Sequence, residues 1–506
     1  MIHRFFDVVL LGARPFSTLA CAALLARRDF RVLVVADGAR PSTYHYDGVP
    51  LRRRAFSPFV LARPAFRRVL AELAQSQAFR RRLAPLEPSL QILDARRRLA
   101  LSADPTALAA ELTREVPDMR PAIEALYVHL AEIDAQVDAV LGEDALWPPG
   151  TFWERRETAR LARLLPAVDE LSLDAEYRRV VEASARQLGH ESAHDGPLSP
   201  LVTARLHRSL LVDPASLPGD EDELSGFLVE RIRAHGGEVR MDESCAGIVH
   251  KRGKVTGVVL DGEGETIACN FVVGDRPGLR LLERVRDADF ELPDPAASPS
   301  PHERRFVVSM VVRRALVPAP LARHSLLLPA RSSDPEVHLS RTQASESTDS
   351  ELWVAEALLP DKEFVPVRPG DLRGRERVLA TVRAHFPFLD SHLLVVDSPH
   401  DGGPILDGRE GGLRAVPRSE VRATGGSRDA EPAEPLYALP RDAYAGLCGE
   451  PIRTALEGLL TVSPSVMPTL GAEGELISAW GAARLITKTD PKRERMRREL
   501  WSKIEL

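Results

Sequence analysis

The chain has 506 residues, of which 44% are hydrophobic and 28% charged, with a formal net charge of −6 at pH 7. This composition indicates a globular protein, and the length exceeds what one hydrophobic core usually organises, so we expect two domains. No apolar run reaches the roughly 18 residues of a membrane span, which argues against an integral membrane protein. We therefore expect a cytoplasmic protein, with peripheral attachment to the inner face of a membrane as an open alternative.

The charge is distributed unevenly along the chain. Residues 1–100 hold 18 arginines, no lysine and 7 acidic residues, a net +11 that leaves −17 for the remainder. Arginine triplets at 52–54, 80–82 and 96–98 indicate a surface for anionic lipid or an acidic protein partner. The alternative, which we prefer, is solvated helix faces balanced by the acidic stretch 111–144. No aromatic residues are interleaved with the triplets, so we expect no nucleic-acid binding.

The four cysteines show no metal-binding or disulfide pattern. They are far apart and have no CxxC spacing, which predicts buried thiols. The four are Cys21, Cys245, Cys269 and Cys448.

The first forty residues predict a βαβ unit. Residues 7–13 form an apolar strand that enters a tight turn, residues 18–28 have a helix pattern, and residues 31–35 form a second strand. A dinucleotide site needs GxGxxG at this turn, because the second glycine admits the pyrophosphate and the third lets the helix pack closely. The turn here reads Gly12-Ala13-Arg14-Pro15-Phe16-Ser17, in which only the first glycine is present.

The departures from this fingerprint change its chemistry. Arg14 puts a long side chain where phosphate would lie, whereas Ser17 is small enough to permit close helix packing. At the end of the second strand, where an acidic residue would accept hydrogen bonds from ribose, Ala36 precedes Asp37. Two interpretations stay open: an altered site that still works, and a Rossmann-like unit that no longer binds a nucleotide.

The rest of the chain divides into regions of different pattern. Residues 64–187 predict a mostly helical region with apolar residues at three- and four-residue spacing. Segments rich in proline, serine and charge predict mobile loops at 287–304, 329–351 and 419–436. Between and after them we expect further regular elements: a helix at 221–235, strands at 238–240, 246–249, 255–260 and 266–273, and a helix at 475–485 that follows a glycine-containing turn.

One short motif suggests a metal site. Residues 190–194 read HExxH, which on one helix face would bind zinc and place a general base. Gly189 precedes the motif and Asp195-Gly196-Pro197 ends any helix at once, so we expect no zinc site here. The sequence shows no GxSxG elbow, no P-loop and no two carboxylates at a spacing that indicates acid-base catalysis. It therefore identifies no catalytic residue.

Taken in order, several segments resemble the phytoene desaturase and carotenoid isomerase branch of the FAD-dependent amine-oxidase superfamily. The opening resembles that family's DVVVIGAGxxGLxxAxxLAxxGxxVxVLE, and residues 467–484 resemble its PGLGxEGxxxAAWxAAR. Departures are Arg14, Ser17, Ala36, the missing Arg-Gly-Gly within residues 39–43, and Thr469 in place of a glycine. Middle landmarks that match are Pro218-Gly219, residues 235–240, residues 254–258 and residues 270–275.

The resemblance implies an α/β fold: a Rossmann-like FAD/NAD(P)-binding domain assembled from discontinuous segments, with an inserted α+β substrate domain. The corresponding boundaries are 1–63, 211–285 and 455–506 for the FAD-binding-like domain, and 64–210 and 286–454 for the substrate domain.

The resemblance also implies FAD as cofactor and a redox reaction on an apolar, often polyene, small-molecule substrate. By position, Gly12 would face the pyrophosphate, the backbone near Cys245 would flank the adenine, and residues 471–474 would approach the flavin. The alternative is a pseudo-oxidoreductase that keeps the architecture and serves as a binding or scaffold protein. The candidate cofactor-binding residues are Gly12, Ala13, Arg14, Ser17, Asp37, Cys245, Asp275, Gly471, Ala472, Glu473 and Gly474.

Overall fold

Two large β-sheets and fourteen α-helices organise the described part of the chain, and their labels follow chain order. The computed structural model describes residues 4–55, 58–168, 171, 174–193, 196–262, 264–286, 290–294, 299–331, 333–344, 349–363, 372–420, 423–424, 430–439 and 444–501.

The first sheet brings together three segments that are distant in sequence. Its order is β10-β2-β1-β13-β12-β11, with β23 paired to β13. Strands β10, β2, β1, β13 and β23 run parallel, and β11, β12 and β13 form an antiparallel meander. The members are β1 (Phe5–Leu11), β2 (Val32–Val35), β10 (Glu238–Arg240), β11 (Cys245–Lys251), β12 (Lys254–Leu260), β13 (Thr266–Gly274) and β23 (Leu459–Thr461).

The second sheet has ten strands in the order β20-β19-β18-β14-β17-β16-β15-β7-β8, with β22 paired to β14. Strands β14 and β17 pair antiparallel from Glu303 opposite Pro360 to Arg313 opposite Ser350. The members are β7 (Leu90–Leu93), β8 (Arg98–Leu101), β14 (Pro301–Arg313), β15 (His324–Leu327), β16 (Val337–Gln343), β17 (Ser350–Pro360), β18 (Leu393–Asp397), β19 (Ile405–Asp407), β20 (Arg414–Val416) and β22 (Glu434–Tyr437).

Two three-stranded sheets complete the described strands. They comprise β3 (Thr43–Tyr46), β4 (Val49–Arg52) and β21 (Ala423–Thr424), and β5 (Phe59–Val60), β6 (Ala84–Pro85) and β9 (Pro214–Ser216).

The helices pack on both large sheets and on one another. Among the described residues, none of them is both long and apolar enough to cross a membrane. They are α1 (Ala20–Arg27), α2 (Pro64–Glu72), α3 (Ser76–Arg80), α4 (Pro105–Glu115), α5 (Arg120–Leu141), α6 (Phe152–Ala162), α7 (Ala175–Leu188), α8 (Pro200–Ser209), α9 (Asp220–Ala234), α10 (Gly278–Leu282), α11 (Arg373–His385), α12 (Leu389–His392), α13 (Ala472–Thr487) and α14 (Pro491–Trp501).

The expected fold class is confirmed. Strand β1 pairs with β13, so that Val9 lies opposite Val272, although 263 residues separate them in the chain. Both faces of β1 and β2 are largely buried, as expected for parallel strands covered by helices, which explains their continuous apolar sequence. A π-helical turn at Pro15–Leu19 precedes α1, so the predicted helix at 18–28 begins in irregular geometry.

Two sequence expectations on local structure are wrong in part. The region 64–187, expected to be mostly helical, also contributes β6, β7 and β8. The segment 329–351, expected to be a mobile loop, contains β16 and the first residues of β17, and β14 and β22 begin inside the two other expected loops. Strands β6 and β7 pair with β9 and β15, which are more than a hundred residues away, and local composition carries no signal for such pairing. Strands β8 and β16 pair with their neighbours in sequence, within sheets whose other members are distant.

The cysteine prediction is confirmed. All four thiols are buried and unpaired with one another.

Candidate functional site

The predicted cofactor residues of the first domain meet at one edge of the first sheet. Strands β2, β1 and β13 are parallel neighbours, so the residues that follow them lie side by side. The backbone N–H of Gly12 donates to the carbonyl of Val35 at 2.9 Å, and that of Asp275 donates to the carbonyl of Leu11 at 3.1 Å. The structure therefore brings Gly12, the Asp37 loop and Asp275 together at the carboxyl edge.

The space above Gly12 is taken by a carboxylate. Gly12 has φ +111°, which a side chain rarely tolerates, and a Cβ there would overlap the carboxyl group of Asp275. Burial raises the pKa of Asp275 to about 6, because lost hydration outweighs the attraction of Arg14 and Arg276. A negative group therefore occupies the position that the resemblance assigns to a pyrophosphate.

Arg14 reaches from the fingerprint turn to the start of α13. Its Nε lies 3.1 Å from Oε2 of Glu475, and its Nη2 lies 3.0 Å from Oε1 of the same residue. The Nη2 atom also lies 2.6 Å from Oε1 of Glu434 at the start of β22. One guanidinium thus ties together the opening unit, the second sheet and the C-terminal segment. Ala13 and Ser17 flank it: Ala13 packs against the core, and Ser17 is fully buried in the π-helical turn.

Both carboxylates that hold Arg14 are ionised. Burial alone would raise the pKa of Glu475, but the charge of Arg14 and the hydrogen bond from His190 outweigh it and hold that pKa at about 2. Burial likewise opposes ionisation of Glu434, and Arg14 and His190 hold its pKa well below the ordinary value. The ring of His190 contributes through Nε2, which lies 3.1 Å from Oε1 of Glu475. We call Arg14, His190, Glu434 and Glu475 the buried ion cluster.

Asp37 lies at the end of β2 but its carboxylate is held by protein. The backbone N–H of Cys245 donates to its Oδ1 at 3.0 Å, and Nη2 of Arg284 donates to the same atom at 2.9 Å. A second Arg284 nitrogen contacts Oδ2. The carboxylate oxygens that would accept hydrogen bonds from a ribose therefore form an internal ion pair. The backbone of Cys245, which the resemblance places beside an adenine, instead donates to this carboxylate.

The C-terminal turn at the start of α13 packs against protein. Gly471 has φ +55°, and a Cβ there would overlap the carbonyl oxygen of Leu188, the last residue of α7. A Cβ on Gly474 would overlap the carbonyl oxygen of Met467. Ala472 lines an inner cavity, and Glu473 is bound by Arg205, with Nη2 to Oε1 at 2.7 Å. Both glycines thus permit close approach of chain to chain.

Two cavities lie on either side of the buried ion cluster. The outer one, which we call the crevice, has a volume of about 1230 Å³ and follows the carboxyl edge of the first sheet. The inner one has a volume of about 90 Å³ and is lined by apolar side chains from several elements, such as Phe16, Phe66 and Leu326, and by polar and charged ones that include His324 and His338. The residues that line both cavities are all charged: Arg14, Arg54, Arg305, Glu356 and Glu434.

The lining of the crevice holds more arginines than carboxylates. In the described part of the chain, nine arginines and five carboxylates line it. Arg276 and Arg280 are its most accessible cations that follow β13, with side chains 50% and 68% exposed. Each of the nine arginines has a carboxylate partner in the lining or just behind it, and for Arg276 and Arg280 the partners are Asp37 and Glu283. These two exposed guanidinium groups are the ones that an anion from solvent can reach, and Arg binds phosphate and carboxylate oxygens through two parallel hydrogen bonds.

Three solved structures have the same overall architecture. An oxidoreductase from Methanosarcina mazei matches with a TM-score of 0.59 and 14% identity, covering 94% of this chain and 99% of its own. A triple mutant of putrescine oxidase, made for the redesign of cofactor binding, matches with a TM-score of 0.57 and 15% identity, covering 96% and 99%. The PF1083 protein from Pyrococcus furiosus matches with a TM-score of 0.51 and 14% identity, covering 97% and 98%.

This chain has the fold of FAD-binding oxidoreductases. No protein-family model and no curated protein sequence matches it significantly. At these identities the similarity establishes the fold alone. What the site can bind follows from the residues that form it.

The residues of this flavoprotein-like site do not fit FAD in the manner that the sequence resemblance implies. Asp275 covers Gly12, Arg284 occupies Asp37, and Leu188 packs on Gly471, so protein atoms take the three positions assigned to pyrophosphate, ribose and flavin. Arg14 stands where the fingerprint has a glycine, and its side chain extends between these positions to Glu475 in α13. The sequence did not identify three residues of the site, because each acts through a contact that is distant in the chain. They are Glu434, Glu475 and Arg284.

The HExxH motif does not lie on one helix face. Helix α7 ends at Leu188, Gly189 is extended, and His190 follows at a bend with its ring bound to Glu475. His194 lies outside the described residues. Over those residues, no three His, Cys, Asp or Glu side chains are placed to hold a metal ion.

Proposed function

We propose that this protein is a pseudo-oxidoreductase: it keeps the fold of FAD-binding oxidoreductases, has lost conventional FAD binding, and binds an anionic ligand in the crevice. The observation that carries the proposal is the contact of Arg14 with both Glu475 and Glu434. A cofactor in the conventional pose would have to separate buried ionised groups, which is costly because each would lose its counter-charge in a poorly hydrated place.

The charge of the crevice supports the ligand class. The lining holds nine arginines and five carboxylates, and although each arginine has a carboxylate partner, two neighbouring exposed cations favour a ligand with at least two negative charges, such as a diphosphate or a dicarboxylate. The ligand would bind to the accessible cations Arg276 and Arg280, which lie beside the carboxyl edge where α/β sheets commonly bind ligands.

The second candidate is a flavin-dependent oxidoreductase of the phytoene desaturase branch, with FAD in an altered pose. The ordered landmarks of the sequence and the crevice volume of about 1230 Å³ favour it. The inner cavity argues against an apolar substrate of polyene size, since its volume of about 90 Å³ is below the roughly 300 Å³ of small-molecule pockets.

Titration with inorganic pyrophosphate, followed by calorimetry, tests the proposed function. We expect binding that weakens as salt is added, and a loss of about tenfold in affinity for each of Arg276→Ala and Arg280→Ala. Arg414→Ala is the matched control, because Arg414 is 59% exposed and does not line the crevice. A protein that is yellow as purified and releases FAD on denaturation would overturn the proposal and support the oxidoreductase.

A further inference from the structure

Helix α6 is held rigidly against the protein by one face. Thr158 and Leu161 are buried, and the hydroxyl of Thr158 donates to the carbonyl of Leu146 at 3.0 Å. At its start, Thr151 and Glu154 form a capping box, and Nη1 of Arg453 lies 2.7 Å from Oε2 of Glu154. The orientation of α6 is therefore fixed by burial, by its cap and by an ion pair.

The opposite face of α6 begins with two exposed aromatic residues. Phe152 is 70% exposed and Trp153 is 71% exposed, and their rings meet edge to face with centroids 5.4 Å apart. Leu164, two residues beyond the other end, is 59% exposed. Single exposed apolar residues are common, but a contiguous aromatic pair on a well-ordered helix marks an interaction site.

Arginines occupy the same face between these apolar ends. Arg156, Arg160 and Arg163 follow Phe152 at intervals of four, four and three residues, which places all four on one stripe. All three are exposed, and within the described ranges none of them forms an ion pair. By contrast, the arginines at 52–54, which the sequence singled out, pair inside the fold with Asp220, Glu431 and Glu221.

We propose that this exposed face of α6 docks the protein on a membrane that contains anionic phospholipid. Aromatic rings prefer the depth of the lipid headgroups, and arginines on the same stripe then meet lipid phosphates. Helices that lie in the interface combine these residue types, whereas an acidic protein partner would need the arginines but not both apolar ends. The inference goes beyond the proposed function and shares no residue with the crevice.

Co-sedimentation of the full chain with lipid vesicles tests the proposal. We expect binding to vesicles of phosphatidylcholine with phosphatidylglycerol, and little binding to phosphatidylcholine alone. Replacing Arg156, Arg160 and Arg163 by Gln should weaken the partition coefficient about a hundredfold, since each arginine near an anionic surface contributes about fivefold. Phe152→Ser with Trp153→Ser should weaken it by tenfold or more, as about two buried aromatic side chains are lost.

Two control variants locate the surface. Phe388→Ser removes an aromatic residue that is 73% exposed elsewhere, and Arg80→Gln with Arg81→Gln removes exposed charge from an N-terminal triplet. Both controls should bind as the unmodified protein does. The proposal is overturned if neither vesicle binds, if both bind equally, if soluble polyglutamate competes fully with the vesicles, or if the controls lose binding as the α6 variants do. None of these outcomes depends on whether the crevice binds pyrophosphate or FAD.

Discussion

The pair formed by Arg14 and Glu475 offers the most informative perturbation of the site. Arg14→Met removes the cation while leaving Glu475 and Glu434 buried, and loss of one partner of a buried pair costs about 3–5 kcal/mol. The pKa of Glu475 gives an independent measure. Its displacement from 4.5 to about 2 corresponds to about 3 kcal/mol of preferential stabilisation of the ionised form, shared between Arg14 and His190.

A double-mutant cycle separates the pair from its surroundings. Arg14→Met, Glu475→Gln and the double variant are compared by urea unfolding at pH 7.5, and we expect a coupling energy of about 2 kcal/mol. The folded pKa of Glu475 lies below its unfolded value, so this contribution is complete above pH 4.5 and is lost only as the pH falls towards 2. The coupling should thus be the same at pH 7.5 and pH 5.5. If the changes in unfolding free energy of the two single variants simply add up in the double variant, Arg14 and Glu475 do not form a stabilising ion pair.

Three further predictions concern the carboxyl edge of the first sheet. Asp275→Asn should stabilise the protein at pH 7.5 by about 1–2 kcal/mol in thermal or urea unfolding. This is less than the free energy that corresponds to the full pKa displacement, because the group is partly accessible. Its folded pKa lies above its unfolded one, so the unmodified protein should approach the stability of the variant as the pH falls from 6 to 4, and an unchanged gap would contradict the burial argument. Gly12→Ala should destabilise by at least about 1 kcal/mol even when combined with Asp275→Gly, because φ +111° remains strained; full rescue by the second change would assign the effect to the clash alone. Arg284→Ala should cost about 2–3 kcal/mol, since it leaves buried Asp37 with one backbone donor and with the more distant Arg276, whose Nη2 lies 3.6 Å from Oδ2. An effect below about 0.5 kcal/mol would show that the pair is solvated.

The strands and helices around the first sheet could be predicted from the sequence, because the patterns that indicate them are local. Apolar strands, hairpin glycines and the amphipathic helix at Asp220–Ala234 lie within two residues of their expected positions. The order of the landmarks then indicated that distant segments form one domain. Strands such as β7 and β16 were missed because their stability comes from partners more than a hundred residues away or from a long central strand.

The candidate site was only half predictable for the same reason. Departures at Arg14 and Ala36 showed that the fingerprint is altered, but the sequence could not say what Arg14 contacts. Glu434 lies 420 residues away and belongs to no recognisable motif, and Glu475 lies 461 residues away at a variable position of the C-terminal motif. Whether an unusual residue leaves a site open or closes it depends on such contacts, which only the folded chain reveals.

The most direct test of the central claim is an equilibrium titration with FAD. The protein is purified, its visible spectrum is recorded, and FAD is then added while flavin fluorescence and retention on dialysis are measured. We expect a colourless protein with no saturable FAD binding, and a measurable gain for Arg14→Gly combined with Ala36→Glu if the rest of the pocket can open. One tightly held FAD for each unmodified chain would contradict it.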